Sequence, residues 1–215
     1  MLFCQLGLIN RGIFMAERKF GALLGKGGER EVYENLSNPA TCFKVSHKAS
    51  CVQTKREIKY FESLRKSGQG NLPIIPKYFG SFEQGDYVGF EQECLSWSKQ
   101  NDDAILLEDY IKTDRSPECL ATIRKKLEEA YALMIKHNVI ISDIHPNNIL
   151  LIFDSKNELK RLVFIDGFGS PELIPLPQYC PFFGRLKIQR QWKKFLRRRP
   201  DVKELLGLSS FKHVG

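Results

Sequence analysis

Ile141-Ser142-Asp143-Ile144-His145-Pro146-Asn147-Asn148-Ile149-Leu150-Leu151-Ile152-Phe153 and Leu162-Val163-Phe164-Ile165-Asp166-Gly167-Phe168-Gly169 frame the stretch on which the reading of the fold turns. Two apolar runs, 149–153 and 162–165, enclose Asp154-Ser155-Lys156-Asn157-Glu158, which has turn chemistry. The pattern predicts an antiparallel hairpin, and a hairpin brings its two ends together. Asp143 and Asn148 lie just before it and Asp166 just after. Two carboxylates and one amide are therefore expected at a single sheet edge. Oxygen donors of this kind suit Mg²⁺, which keeps some of its waters and shares its shell with phosphates.

Toward the N-terminus, Leu23-Leu24-Gly25-Lys26-Gly27-Gly28-Glu29-Arg30-Glu31-Val32-Tyr33 reads as strand, glycine-rich turn and strand. Such a turn can cover phosphates with backbone N–H groups. Thr41–Val45 reads as a third strand and carries Lys44. Residues 52–65 place Ile58, Phe61 and Leu64 at helical spacing and carry Glu57, an acid able to keep a partly buried lysine charged. Tyr78–Phe82 and Tyr87–Gln92, around Glu83-Gln84-Gly85-Asp86, predict a second hairpin. The first ninety-odd residues thus read as five strands with one helix after the third. Beyond them, Ser116-Pro117-Glu118 has the form of a helix start, with apolar residues at helical spacing to Met134 and a stop at Asn138.

In this order the elements resemble the protein-kinase-like fold: glycine-rich loop, strand lysine, helix glutamate, an Asp-x4-Asn loop, then Asp-Gly. The fold class expected is α+β and two-lobed. Residues 20–94 would form a five-stranded antiparallel N-lobe with one helix, and 95–215 a reduced helical C-lobe, after an extension over 1–19. The resemblance implies ATP and Mg²⁺ as cofactors. Gly25, Gly27 and Gly28 would cover the phosphates, and Lys44, paired to Glu57, would hold them. Asn148 and Asp166 would bind the metal, and Asp143 would orient or deprotonate the acceptor hydroxyl. The backbone around 91–95, with Glu93 at its centre, would form the adenine hinge. Glu62 is the rival to Glu57 for Lys44.

The departures are specific. Arg30 replaces the third loop glycine, Ile141-Ser142 stands where protein kinases carry His-Arg, and His145 stands in place of their lysine. Asp143-x-His145-x-x-Asn148 is closer to small-molecule phosphotransferases such as aminoglycoside and choline kinases. His145 reads equally as a phosphate contact and as a hydrogen-bonding loop residue. Only 46 residues follow Gly169, with no Ala-Pro-Glu element, so a peptide-substrate platform is not expected. A closer resemblance, over roughly 20–206, is to the PhoP regulatory network protein YrbL family of bacterial proteins. It rests on Cys42-Phe43-Lys44-Val45, Arg56-Glu57-Ile58-Lys59-Tyr60, Ile75-Pro76-Lys77-Tyr78-Phe79-Gly80 and Asp143-x-x-Pro146-x-Asn148-Ile149-Leu150. Leu173-Ile174-Pro175-Leu176 and Arg185-Leu186-Lys187-x-x-Arg190-x-Trp192-Lys193-Lys194-Phe195 carry it most specifically. That family name reports a regulatory link and no reaction. The leading expectation is a phosphotransferase acting on a hydroxyl of a small or lipid/sugar-linked acceptor. The alternative is a pseudokinase serving as a regulatory binding module.

Composition sets the bounds. The 215 residues are 42% hydrophobic and 27% charged, an ordinary globular balance. The net charge of +8 resides in Arg185–Arg199, which holds eight basic residues and no acid; without it the chain has 25 bases and 25 acids. A specific nucleic-acid partner is therefore not expected. The basic helix reads in three ways: a solvated face whose apolar side (Ile188, Trp192, Phe195, Leu196) packs on the body, a site for an anionic partner, or a membrane-surface helix. The six cysteines (4, 42, 51, 94, 119, 180) lack metal or disulfide spacing and read as reduced, largely buried thiols of a cytoplasmic protein. His47 and His137 read as structural or surface residues. Residues 1–14 read as an upstream extension before Met15, not as a signal peptide.

Overall fold

Glycine-rich sequence reverses the chain between β1 (Phe20–Lys26) and β2 (Glu31–Asn35), where Gly27 N–H donates to the Arg30 carbonyl at 2.7 Å. The structure is a computed structural model describing residues 18–95, 103–113, 116–171 and 176–208. The expected extension over 1–14 and the Leu173-Ile174-Pro175 signature lie outside the described residues. β3 (Thr41–His47) follows, then α1 (Val52–Lys66), β4 (Tyr78–Gln84) and β5 (Tyr87–Glu93). The strands form one antiparallel sheet in the order β1-β2-β3-β5-β4. α1 buries Glu57, Ile58, Phe61 and Leu64 and packs against β3, β4 and β5.

The rest of the chain is mainly helical around a small second sheet. It comprises β6 (Asp103–Leu106), α2 (Leu107–Tyr110), α3 (Pro117–His137), β7 (Ile149–Phe153), β8 (Leu159–Phe164), α4 (Leu176–Tyr179), α5 (Pro181–Arg198) and α6 (Pro200–Leu205). α3 starts as its sequence dictates: the Ser116 side chain accepts from Cys119 N–H and Pro117 takes the first position. It stops at Asn138, whose φ of 54° ends the helical path. β7 and β8 form the hairpin the apolar runs require, and β6 pairs along β7 to complete three antiparallel strands. The fold is therefore α+β, with a five-stranded antiparallel sheet and several helices.

β6 was not legible as a strand. It is four residues long and begins with an aspartate, so pairing with the buried β7 rather than its own pattern makes it a strand. β8 also starts three residues before its apolar run. Its three added strand residues bring Arg161 toward the first sheet: Nε donates to the Pro73 carbonyl, Nη2 to that of Ile75, and Nη1 to Glu93, each at 2.7 Å.

One hydrophobic core runs between the sheets. Phe61 on α1 meets Phe168 at a ring distance of 4.8 Å, and Trp192 of α5 meets Tyr131, Phe164 and Phe195. Ile188, Trp192, Phe195 and Leu196 are all buried, so the apolar side of the basic helix packs on the body. A separate cluster of Phe43, Val45 and Phe82, with Phe20 and Tyr33 against it, covers the other face of the first sheet. Cys42, Cys51 and Cys94 are buried and unbridged as expected, whereas Cys119 is exposed on the first turn of α3. Among the described residues no helix is long and apolar enough to cross a membrane.

β3 and β5 approach closely where Gly89 passes Lys44. A Cβ at residue 89 would lie 2.5 Å from the Lys44 carbonyl oxygen and 2.9 Å from the Phe82 ring. Gly89→Ala should therefore destabilise the fold by about 1–3 kcal/mol in urea unfolding. Unchanged stability would mean that the two strands separate without cost.

Candidate functional site

The fold brings four charged side chains from distant segments to one place. Lys44 sits on β3 and Glu57 on the buried face of α1, fully enclosed. Arg30 follows the glycine-rich turn and is itself buried. Asp166 follows β8 and remains about one-third exposed, at 37% of its side chain. Arg30 joins both acids, with Nη1 on Glu57 Oε2 and Nη2 on Asp166 Oδ1. Lys44 Nζ donates to the Ile165 carbonyl at 2.6 Å. The expected Lys44–Glu57 ion pair is thus replaced: the guanidinium takes the seat on Glu57, and the ammonium is drawn to the backbone beside Asp166. Glu62 plays no part here, since it faces the hydroxyls of Tyr78 and Ser81.

Two positive and two negative groups share this small volume, and their charges settle unequally. Burial alone would raise Asp166, but Lys44 and Arg30 together hold its carboxyl far below the usual carboxylate range. For Glu57, burial prevails over the same two cations and pushes the carboxyl above its ordinary value. Asp166 is the acid kept ionised, and Glu57 is the one that takes up a proton first.

The turn after β8 is fixed against the loop before β7. Ser142 N–H donates to the Gly167 carbonyl at 2.7 Å, Gly169 N–H donates to that of Ile140 at 3.0 Å, and Ile141 bridges Phe168. Gly167 has a φ of +80°, which favours glycine, and a Cβ there would stand a tight 3.1 Å from Asp143 N. Phe168 N–H donates to Glu57 Oε1 at 3.3 Å, and Tyr60 OH accepts from Ile140 N–H at 2.7 Å. Burial pushes the Tyr60 hydroxyl up, which keeps it neutral. α1 therefore holds both loops that carry the acids.

Asp143 is exposed at the mouth of the arrangement, and Asn148 Nδ2 donates to its carbonyl at 3.2 Å and to Oδ2 at 3.3 Å. That commitment leaves the Asn148 amide oxygen as its ligand end. His145 Nδ1 accepts from Asn147 N–H at 3.3 Å and caps the 3₁₀ turn Pro146–Asn148. Of its two readings, the structure displays the loop hydrogen bond. Among the described residues, no cluster of three or more His, Cys, Asp or Glu side chains is placed to hold a metal. Ile165 N–H donates to the Asn148 carbonyl at 2.9 Å, which ties the segments of Asp166 and Asn148 together; the two side chains offer oxygen donors of the kind Mg²⁺ takes beside water and phosphate.

Gly27 and Gly28 lie in the turn, and Gly25 lies just before it at the end of β1, opposite Val32. None has a positive φ, and a Cβ on Gly25 or Gly28 would meet nothing within 4 Å. A pocket of about 260 Å³ is lined by Gly27, Gly28 and Arg30 of this turn together with Ser46, His47 and Tyr87, and its lining does not include Lys44 or Asp166. Glu93 is engaged in structure: its carboxylate takes Arg161 at 2.7 Å and Lys77 N–H at 3.1 Å. The neighbouring N–H groups are used too, Glu93 donating to the Lys77 carbonyl at 2.8 Å and Cys94 to that of Ala40 at 3.0 Å.

Sequence reasoning named Arg30 only as a departure and missed Glu29 and Gln53. Glu29 reaches from the turn to the N-terminus of α1, accepting from Gln53 N–H at 3.1 Å and Thr54 N–H at 2.9 Å. α1 has no side-chain cap of its own at Cys51, so Glu29 supplies one from outside the helix. Gln53 Nε2 donates to Asp166 Oδ1 at 3.4 Å. An acid followed by a base at the end of a glycine turn was the available signal.

The family model described as PhoP regulatory network protein YrbL matches residues 19–200. No curated protein matches the chain.

Folding lowers the Asp166 value, so its contribution to stability is complete above the unfolded aspartate value, about pH 4, and fades as pH falls below it. Glu57, raised on folding, acts in the opposite sense. Asp166→Asn should therefore be less stable than wild type at neutral pH, and the difference should shrink as pH drops below about 4. Urea unfolding over a pH series checks this. A difference independent of pH would show that Asp166 does not act through its charge.

Proposed function

The chain belongs to the PhoP regulatory network protein YrbL family, and on that premise we propose that it is a kinase-like, ATP- and Mg²⁺-dependent phosphotransferase acting on a hydroxyl of a small or lipid/sugar-linked acceptor. The observation that carries this reading is the convergence of Lys44, Glu57 and Asp166, from three separate segments, behind a glycine-rich turn. The order of these groups along the chain is that of kinase-like proteins. The open space over Gly25 and Gly28 adds support, because among the described residues nothing requires glycine there.

In this reading each residue has a limited task. Lys44 offers its ammonium to the α/β-phosphates, and the glycine turn offers backbone N–H groups. Asn148 and Asp166 would hold Mg²⁺, which supplies charge neutralisation to the phosphates. Asp143, exposed and steadied by Asn148, would orient the acceptor hydroxyl and take its proton. Little covalent chemistry is asked of the protein, since phosphoryl transfer proceeds mainly by positioning and charge stabilisation.

The second reading, a nucleotide-binding pseudokinase that acts as a regulatory module, is favoured by one observation. Arg30 already places a fixed cation on Asp166, where the metal would sit. An Asp166 held by a guanidinium has less to offer Mg²⁺ than a free one.

Thermal unfolding with and without ATP·Mg²⁺ tests the site. A ligand at a hundred times its Kd adds about 2.7 kcal/mol, on the order of 5–10 °C in Tm for a chain of this size. The shift should appear in wild type and Asp143→Ala and be lost in Asp166→Ala. Asp143→Ala should at the same time abolish turnover. A shift without turnover in wild type selects the pseudokinase, and no shift in wild type removes both readings.

A further inference from the structure

α5 buries one side and exposes another, and the exposed side is not uniform. Phe182, Leu186, Lys193 and Arg197 stand at i, i+4, i+11 and i+15, within about 60° of one another around the helix. All four are exposed, as are Phe183 and Arg190 on the adjoining edge. The stripe is apolar and aromatic at the N-terminal end of α5 and basic toward the C-terminal end. α4 extends the apolar end with Tyr179, which is 72% exposed; Phe182 and Phe183 are 65% and 46% exposed. Among the described residues, five exposed large hydrophobics thus fall between Leu176 and Leu186.

These are not the aromatic residues that the sequence pattern singles out on this helix. Trp192 and Phe195 lie in the core. Two of the basic groups are also engaged: Lys187 is buried on Ser170, and Arg199 pairs with Glu108 and Asp201. Lys193 and Arg197 remain on the solvent side, and α5 contains no acidic residue to neutralise them.

We propose that this stripe docks on an anionic phospholipid surface, with Phe182, Phe183 and Leu186 at the headgroup boundary and Lys193 and Arg197 on lipid phosphates. The charge complementarity carries the choice of occupant. A helix lying in a membrane interface needs apolar and basic groups exposed along one side, and the two act together there. Nucleic acid would engage the cations, yet the chain outside 185–199 has no basic excess to follow a polyanion. The inference is independent of the nucleotide reading, because none of its residues belongs to the acid cluster.

Co-sedimentation of the full chain with vesicles tests it. Wild type should bind vesicles of phosphatidylcholine mixed with phosphatidylglycerol, bind more weakly as salt rises, and not bind phosphatidylcholine alone. Removing two cations in Lys193→Gln/Arg197→Gln should weaken binding by about thirty-fold. Phe182→Ser/Phe183→Ser should weaken it by at least about ten-fold. Both should keep the wild-type Tm, since these side chains face solvent. Equal binding to both vesicle types, or unchanged binding in both variants, would overturn the proposal. So would retention on a single-stranded oligonucleotide without vesicle binding, or a wild-type dimer that the Phe182/Phe183 change dissolves.

Discussion

Arg30 reaches from the glycine-rich turn to Glu57 on α1 and to Asp166 after β8, and the arrangement of the site depends on that guanidinium. A planar, permanently charged group with several donors can hold two carboxylates in one plane, which an ammonium cannot do as well. Enclosing charge is costly, and the fully buried Glu57 is acceptable in the interior because the cations stay beside it. Glu29 adds a second strap by capping α1 from the same turn. The turn is thus tied down at two consecutive residues, and α1 is the element to which both are tied.

From this anchoring the rest of the geometry follows. α1 also holds Ile140 through Tyr60 and Phe168 through Glu57. The loops bearing Asp143 and Asp166 therefore rest on one helix, and Gly167 allows them to approach. Arg161 performs a comparable task at the opposite edge, tying β8 to Glu93 and to the loop before β4. Among the described residues the two sheets are joined by a shared apolar core, by these two arginines and by Lys44 rather than by strand pairing between them.

Most of the fold was legible because its signals are local. The glycine turn, the Ser116-Pro117 helix start, Asn138 as a stop and the β7–β8 hairpin each rest on a few adjacent residues. β6 was hidden because pairing with β7 makes it a strand. At the site, the sequence brought Lys44, Glu57, Asn148 and Asp166 into view by order alone. It could not say that Arg30 would occupy the seat on Glu57, because a side chain's choice among acids depends on distances in space between segments that lie 27 and 136 residues apart along the chain. The same limit applies to Glu93, whose carboxylate goes to Arg161, whereas the helical pattern of α5 did name the side the body covers, Ile188, Trp192, Phe195 and Leu196.

A double-mutant cycle between Arg30 and Glu57, read by urea unfolding at neutral pH, tests the central claim most directly. Arg30→Met and Glu57→Gln each leave a charged partner enclosed, so each should cost about 3–5 kcal/mol. The pair of changes removes both charges, so it should cost about 2–3 kcal/mol less than the sum of the two single changes. Costs that simply add, to within about 0.5 kcal/mol, would mean that the two residues do not act on each other and would contradict the account.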